Sequence, residues 1–295
     1  MKRQYIFLVL FLAMLLLSTC SQKQPPDAQN LQVAASIMPL TDFVQKVGTS
    51  RVDVFTIVPP GADPHSFELT PGLMRRLAQT DLLVFNGVGL EFWLDNVMDN
   101  LQGKTAVFTA KGLDILQDDE HHHAEGNPHV WLDPLNAIHQ VKRIYAALAD
   151  VDPENSTFYE HNGAVFVQEL QVLHQDIQAE VNTWPQKSFV CFHPAWEYFA
   201  NRYGLTQAAV IQERPGSEPS PRDIQDIINT VKRIGAKAIF VEAQFPSRVA
   251  EMIAEESDIG VVPLDPLGGS QGITNYVDLM RYNVAQMSKV MGEIP

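Results

Sequence analysis

From Pro153 to Trp184 the chain runs without an internal proline and with a single glycine, Gly163, while Phe166, Leu170, Leu173, Ile177 and Val181 recur at steps of four, three, four and four. That spacing is the period of one helix face. A helix of about 29 residues would be about 43 Å long at 1.5 Å per residue, enough to run the height of two lobes. Strand-like apolar runs lie on both sides of it: residues 31–37, 54–58, 81–85 and 105–108 before, and residues 189–192, 208–211, 238–241 and 260–264 after. Within each set, helical or loop segments separate the runs, which is the signature of α/β units around mostly parallel sheets. The expected fold is two α/β lobes joined by one long helix. Two shorter helices broken near Gly163 are the alternative, because a mid-helix glycine costs only about 1 kcal/mol.

On this reading residues 31–152 form an N-terminal lobe, 153–184 the connector and 185–295 a C-terminal lobe. Ahead of them, Lys2 and Arg3 precede an apolar run from Tyr5 to Leu17 that ends in Leu17-Ser18-Thr19-Cys20. A basic start and an apolar run too short to favour a permanent span describe an export signal over residues 1–20. Its end resembles a bacterial lipobox, which would make Cys20 a lipid-bearing first mature residue. Thr19 departs from the Gly, Ala or Ser usual before that cysteine, and an unlipidated periplasmic protein is the alternative. Residues 21–30, polar and containing Pro25-Pro26, read as a tether.

Removing Lys2 and Arg3 with residues 1–20 turns 21 basic residues into 19 against 35 acidic ones, and the formal charge from −14 to −16. That balance argues against nucleic acid and against a polybasic membrane patch. The other cysteine, Cys191, lies in the apolar run Ser188-Phe189-Val190-Cys191-Phe192. It reads as a small buried residue, with no disulfide framework and no cysteine-rich zinc motif around it.

Four residues of metal-ligand type fall one by one at the expected ends of strands: His65, His129, His193 and Asp265. Each touches proline on at least one side, in Asp63-Pro64-His65, Asn127-Pro128-His129, His193-Pro194 and Asp265-Pro266. Proline fixes φ and removes a donor, so these flanks build short stiff turns that can aim a side chain. Three imidazoles and a carboxylate suit a borderline divalent ion, zinc first. Open α/β sheets bind ligands outside the carboxyl ends of their strands, where these four converge.

The chain resembles the metal-binding solute receptors of bacterial ABC transporters, the zinc and manganese group called cluster A-I. The likeness covers nearly the whole mature sequence. It is carried by Pro60-Gly61-Ala62-Asp63-Pro64-His65-Ser66-Phe67-Glu68, by Asn127-Pro128-His129-Val130-Trp131-Leu132-Asp133-Pro134, by Phe192-His193-Pro194-Ala195-Trp196, and by Phe240-Val241-Glu242-Ala243-Gln244-Phe245 leading to Leu264-Asp265-Pro266-Leu267. The resemblance implies a metal in the cleft between the lobes, held by His65 and His129 from one and His193 and Asp265 from the other. It also implies a membrane permease driven by a cytoplasmic ATPase as partner, and a receptor acting as a monomer. In that family the third ligand is His or Glu, and manganese receptors commonly carry Glu. His193 therefore moves the expectation towards zinc, with manganese (or iron) the alternative.

His121-His122-His123, among Asp118, Asp119, Glu120 and Glu125, is a metal-attracting tract or a solvated polar loop. Glu68, Asp133 and Glu242 are candidates to hold the ring N–H groups of ligand histidines. For Asp133-Pro134 a helix N-cap is the preferred reading. The loop from Arg214 to Pro221 receives no ligand, and His139, His161 and His174 fall in expected helices and receive no metal role. A receptor, not an enzyme, is the reading; a zinc hydrolase and a protein with a purely structural metal are the rivals. Catalytic zinc keeps an open position for water, and no His-Glu-x-x-His string is present.

Overall fold

The computed structural model describes residues 30–94, 101, 103–117, 126–212, 217–269 and 272–292. The expected export signal, Cys20, the tether up to residue 29, the His121–His123 tract and residues 213–216 of the proline-rich loop lie outside the described residues. Among the described residues no helix is long and apolar enough to cross a membrane.

Each lobe holds a four-stranded parallel sheet. The first contains β1 (Leu31–Ala35), β2 (Val52–Thr56), β3 (Leu82–Phe85) and β4 (Thr105–Phe108) in the order β2-β1-β3-β4. The second contains β5 (Ser188–Cys191), β6 (Thr206–Val210), β7 (Ala238–Glu242) and β8 (Gly260–Leu264) in the order β6-β5-β7-β8. The two lobes thus repeat one topology, and in each the strand order reverses beside the first strand. Such a reversal opens a crevice at the carboxyl ends, where the neighbouring connections diverge to opposite faces.

Both faces of each sheet are covered, as parallel sheets require. On β3, Leu82 and Val84 point into one apolar cluster and Leu83 and Phe85 into another; on β5, Phe189 and Cys191 face one way and Val190 the other, with Phe192 just beyond the strand on Val190's side. The helices are α1 (Met38–Gly48), α2 (Pro71–Leu77), α3 (Pro134–Val151), α4 (Ser156–Thr183), α5 (Glu197–Tyr203), α6 (Pro221–Ile234), α7 (Arg248–Glu256) and α8 (Tyr276–Met291). The largest apolar cluster runs through both lobes: it joins Val33 and Trp131 of the first to Phe199 and Met280 of the second through α4.

Helix α4 is continuous over 28 residues and buries Phe166, Leu170, Leu173, Ile177 and Val181, the expected face, together with Tyr159 and Gly163. A short 3₁₀ turn over Pro153–Asn155 leads into it. Gly163 does not break the helix. A Cβ built there would lie 2.5 Å from Tyr145 Cδ1 of α3, so the glycine lets the two helices approach. Strand β2 starts and ends two residues before the expected run; Ile57 and Val58 nevertheless keep ladder-like bonds to Ala35 O at 2.8 Å and Ser36 O at 3.0 Å. Cys191 is buried, and desolvation raises its thiol well above the usual range, which removes the thiolate that reactivity would need.

At an exposed helix position Gly→Ala gains about 1 kcal/mol of propensity. For Gly163→Ala the clash with Tyr145 should reverse the sign, costing about 1–3 kcal/mol and lowering the melting temperature by at least about 2 °C. A melting curve shifted upward would contradict the close packing of α3 on α4.

Candidate metal site between the lobes

The four sequence-predicted residues all lie at the carboxyl-end side of the sheets. His65 sits in the turn after β2, where Asp63 Oδ1 accepts its backbone N–H at 2.9 Å and Asp63 Oδ2 accepts the Ser66 hydroxyl at 2.8 Å. These bonds close the Pro-flanked turn and present the ring. His129 precedes a 3₁₀ turn over Val130–Leu132 that leads into α3. His193 follows β5 and opens the turn Pro194–Trp196. Asp265 follows β8 directly.

The three histidines meet. One ligand atom from each lies within 4.8 Å of the other two, and the closest pair, His65 Nε2 and His129 Nε2, is 3.2 Å apart. Two nitrogens bound at about 2.05 Å to one tetrahedral ion stand about 3.3 Å apart, so this pair is already spaced for a shared ion. His129 and His193 are buried and His65 is half-buried. The space bounded by the three rings, Trp131, Glu242, Gln244, Phe245 and Leu267 is about 10 Å³, room for one water-sized particle.

Neighbouring residues set the chemistry of each ring. The amide of Asn127 donates from Nδ2 to Pro194 O at 3.0 Å and to Glu197 Oε2 at 2.9 Å, which identifies Oδ1 as its acceptor end. Oδ1 accepts both the backbone N–H of His129 at 3.0 Å and His129 Nδ1 at 2.7 Å. The His129 proton therefore sits on Nδ1, and in the neutral ring Nε2 carries the lone pair towards the cluster. His193 Nδ1 lies 3.4 Å from Glu242 Oε2, near enough for attraction but short of hydrogen-bond geometry. Neither ring nitrogen of His193 has a hydrogen-bond partner, although the residue is 2 % exposed. Buried imidazole nitrogens are normally paired. An ion on Nε2 would satisfy one and, by polarising the ring, tighten Nδ1–H towards Glu242.

Asp265 is not part of the tight histidine group. Its Oδ1 accepts the backbone N–H groups of Leu267 at 3.0 Å and Gly268 at 2.7 Å. Its own backbone is held by Asn283, which accepts from Asp265 N at 2.8 Å and donates to Asp265 O at 2.6 Å. The carboxylate is thus buried and oriented by the backbone of its own turn.

Of the candidate supporting residues, Glu242 stands beside His193, with Oε1 accepting the Trp196 indole N–H at 3.3 Å. Glu68 is exposed and reaches no histidine among the described residues. Asp133 holds no ring either: Oδ1 caps α3 through Leu135 N at 2.9 Å, and Oδ2 pairs with Arg202 at 2.6 Å, tying the first lobe to α5 of the second. That carboxylate raises the Arg202 guanidinium above its usual range. The residue that does hold one of these rings, Asn127, escaped the sequence reading, although an amide two positions before a histidine was a usable signal.

Residues 33–290 match the family model described as ZnuA, zinc-uptake complex component A, periplasmic. The chain is 28% identical over 301 residues to the high-affinity zinc uptake system protein ZnuA of Bacillus subtilis, covering 95% of this chain and 94% of that protein. It is 28% identical over 294 residues to the manganese-binding lipoprotein MntA of Halalkalibacterium halodurans, covering 96% and 97%. A crystal structure of a ZnuA deletion mutant with zinc bound superposes with a TM-score of 0.83 at 31% identity, covering 90% of this chain and 100% of that one.

The Asn127 bond fixes a tautomer that spectroscopy can read. In a long-range proton–nitrogen spectrum of the metal-free protein near neutral pH, His129 should show a protonated Nδ1 and a bare Nε2. A proton on Nε2 with Nδ1 bare would overturn the assignment.

Proposed function

Because the chain belongs to the ZnuA family of periplasmic zinc-uptake components, we propose that it is an extracytoplasmic receptor that captures a divalent metal ion and hands it to an ABC transporter permease. Zinc is the first cargo and manganese the alternative. His65, His129 and His193 bind through imidazole nitrogen, and Asp265 adds a carboxylate oxygen. Residues 1–20 serve export and Cys20 carries the lipid anchor, in keeping with the lipoprotein named among the relatives. The observation that carries the reading is His193: a buried imidazole whose nitrogens have no hydrogen-bond partner, beside a His65–His129 pair already 3.2 Å apart.

The donor set favours borderline ions over hard ones, since three of the four donors are imidazoles. The cavity favours cargo over catalysis. A zinc hydrolase needs an open coordination position, whereas the space among the three rings, about 10 Å³, matches the size of a single ion. Binding should release protons, because metal and proton compete for the same lone pairs. Acid then favours discharge of the cargo.

His65→Ala, His129→Ala and His193→Ala should each weaken zinc binding at least about tenfold, while hydrogen-bonded turns and the apolar core keep the fold. Near-native affinity by calorimetry in any two of the three would sink the ligand assignment. His193→Glu makes half of the donor set hard oxygen, so the zinc-to-manganese affinity ratio should fall at least about tenfold, about 1.4 kcal/mol, in competition titrations. Zinc remains the tighter ion in absolute terms. An unchanged ratio would show that His193 does not set selectivity.

A further inference from the structure

Two of the site-bearing turns are joined directly, across the lobes, by a residue that is not itself a metal ligand. Trp131 stands two positions after His129 and is fully buried. Its indole Nε1 donates to the carbonyl of Pro266 at 2.7 Å, the residue immediately after Asp265. Behind it, the Trp131 carbonyl accepts the Tyr276 hydroxyl at 2.6 Å, and the Tyr276 backbone N–H donates to Asp42 Oδ2 of α1 at 2.9 Å. Burial raises the Asp42 carboxyl above the usual carboxylate range, with the Tyr276 bond opposing the rise. A chain of three bonds therefore runs from α1 through the first residue of α8 to the turn of His129, and from there to the turn of Asp265.

This chain bears on the one expected ligand that stands outside the tight group. His65, His129 and His193 converge without help from Asp265, whose Oδ1 is committed to Leu267 and Gly268. Asn283 fixes the Asp265 backbone within its own lobe. The bond from Trp131 to Pro266 fixes the same turn against the histidines of the other lobe. We infer that Trp131 is a positioning residue for metal capture: its indole N–H sets the distance of the Asp265 carboxylate from the three imidazoles, and so decides whether a fourth protein ligand is delivered to the ion. The inference rests on the proposed ligand set. An unpaired buried carbonyl would release the Asp265 turn, because Pro266 O would seek another donor. The His65 and His129 positions would persist, since Asp63 and Asn127 hold them independently of Trp131.

A double-mutant cycle tests this with zinc and a competing chelator. Trp131→Phe keeps an aromatic ring and removes the donor; Asp265→Ala removes the ligand. Each single variant should weaken zinc binding about tenfold, and the double variant should match Asp265→Ala alone. If the Trp131→Phe factor persists in full in the Asp265→Ala background, or if Trp131→Phe binds zinc normally, the positioning role is overturned. Normal zinc binding by Asp265→Ala would instead overturn the ligand set on which the inference rests, and it is visible in that single variant. Should Trp131→Phe fail to fold, Tyr276→Phe cuts the bond behind the same turn. A several-fold loss that vanishes in the Asp265→Ala background is then expected, and a loss of equal factor in both backgrounds overturns the inference.

Discussion

The buried face of α4 is the constraint on which the remaining structure depends. Phe166, Leu170, Leu173, Ile177 and Val181 belong to a single apolar cluster that includes residues of both sheets' inner faces, so the lobes share a core along about 42 Å of helix. A shared core of this kind resists hinge motion more than a flexible linker does, because opening the lobes would expose apolar surface at roughly 25 cal/mol per Å². The carboxyl-end loops of two sheets of equal topology then meet across a fixed interval. Polar ties finish the alignment: Asp133 to Arg202, Asn127 to Pro194 and Glu197, and Trp131 to Pro266 all cross from one lobe to the other.

Within that frame the site is built from turns with local reasons for their shape. Asp63 folds the His65 turn onto itself, Pro194 starts the turn that His193 opens, and Asn283 holds both backbone groups of Asp265. His193 follows β5 and Glu242 ends β7, the two strands that flank the reversal of strand order in the second sheet. The crevice expected at such a point is therefore lined by His193 and the Glu242 carboxylate beside it. Three imidazoles brought together offer borderline donors, and the proposed preference for zinc rests on that chemistry.

Much of this was legible in the chain itself, for identifiable reasons. One-sided burial writes a 3.6-residue period, so α4 and its inward face could be read directly. Proline beside each candidate ligand advertised stiff turns, and His65, His129 and His193 do converge. Gly163 was ambiguous because a glycine that breaks a helix and one that admits a neighbouring helix look alike until Tyr145 is in place. The Asn127 contact to His129 is local and could have been read, but the bonds that orient its amide reach Pro194 and Glu197, 67 and 70 residues away, and the bond from Trp131 to Pro266 spans 135. No local pattern encodes such pairings. Asp133 caps its helix as Pro134 after it led one to expect, whereas Glu68, weighed for nearness to His65 in sequence, faces solvent.

In the proposed site an ion between the lobes is held by three imidazoles and one carboxylate. X-ray absorption at the zinc edge on the stoichiometrically loaded protein measures that shell directly. Four nitrogen or oxygen neighbours at about 2.0–2.1 Å are expected, with the multiple-scattering signature of three imidazole rings. A shell containing two or fewer imidazoles, or a sulfur neighbour at about 2.3 Å, would contradict it.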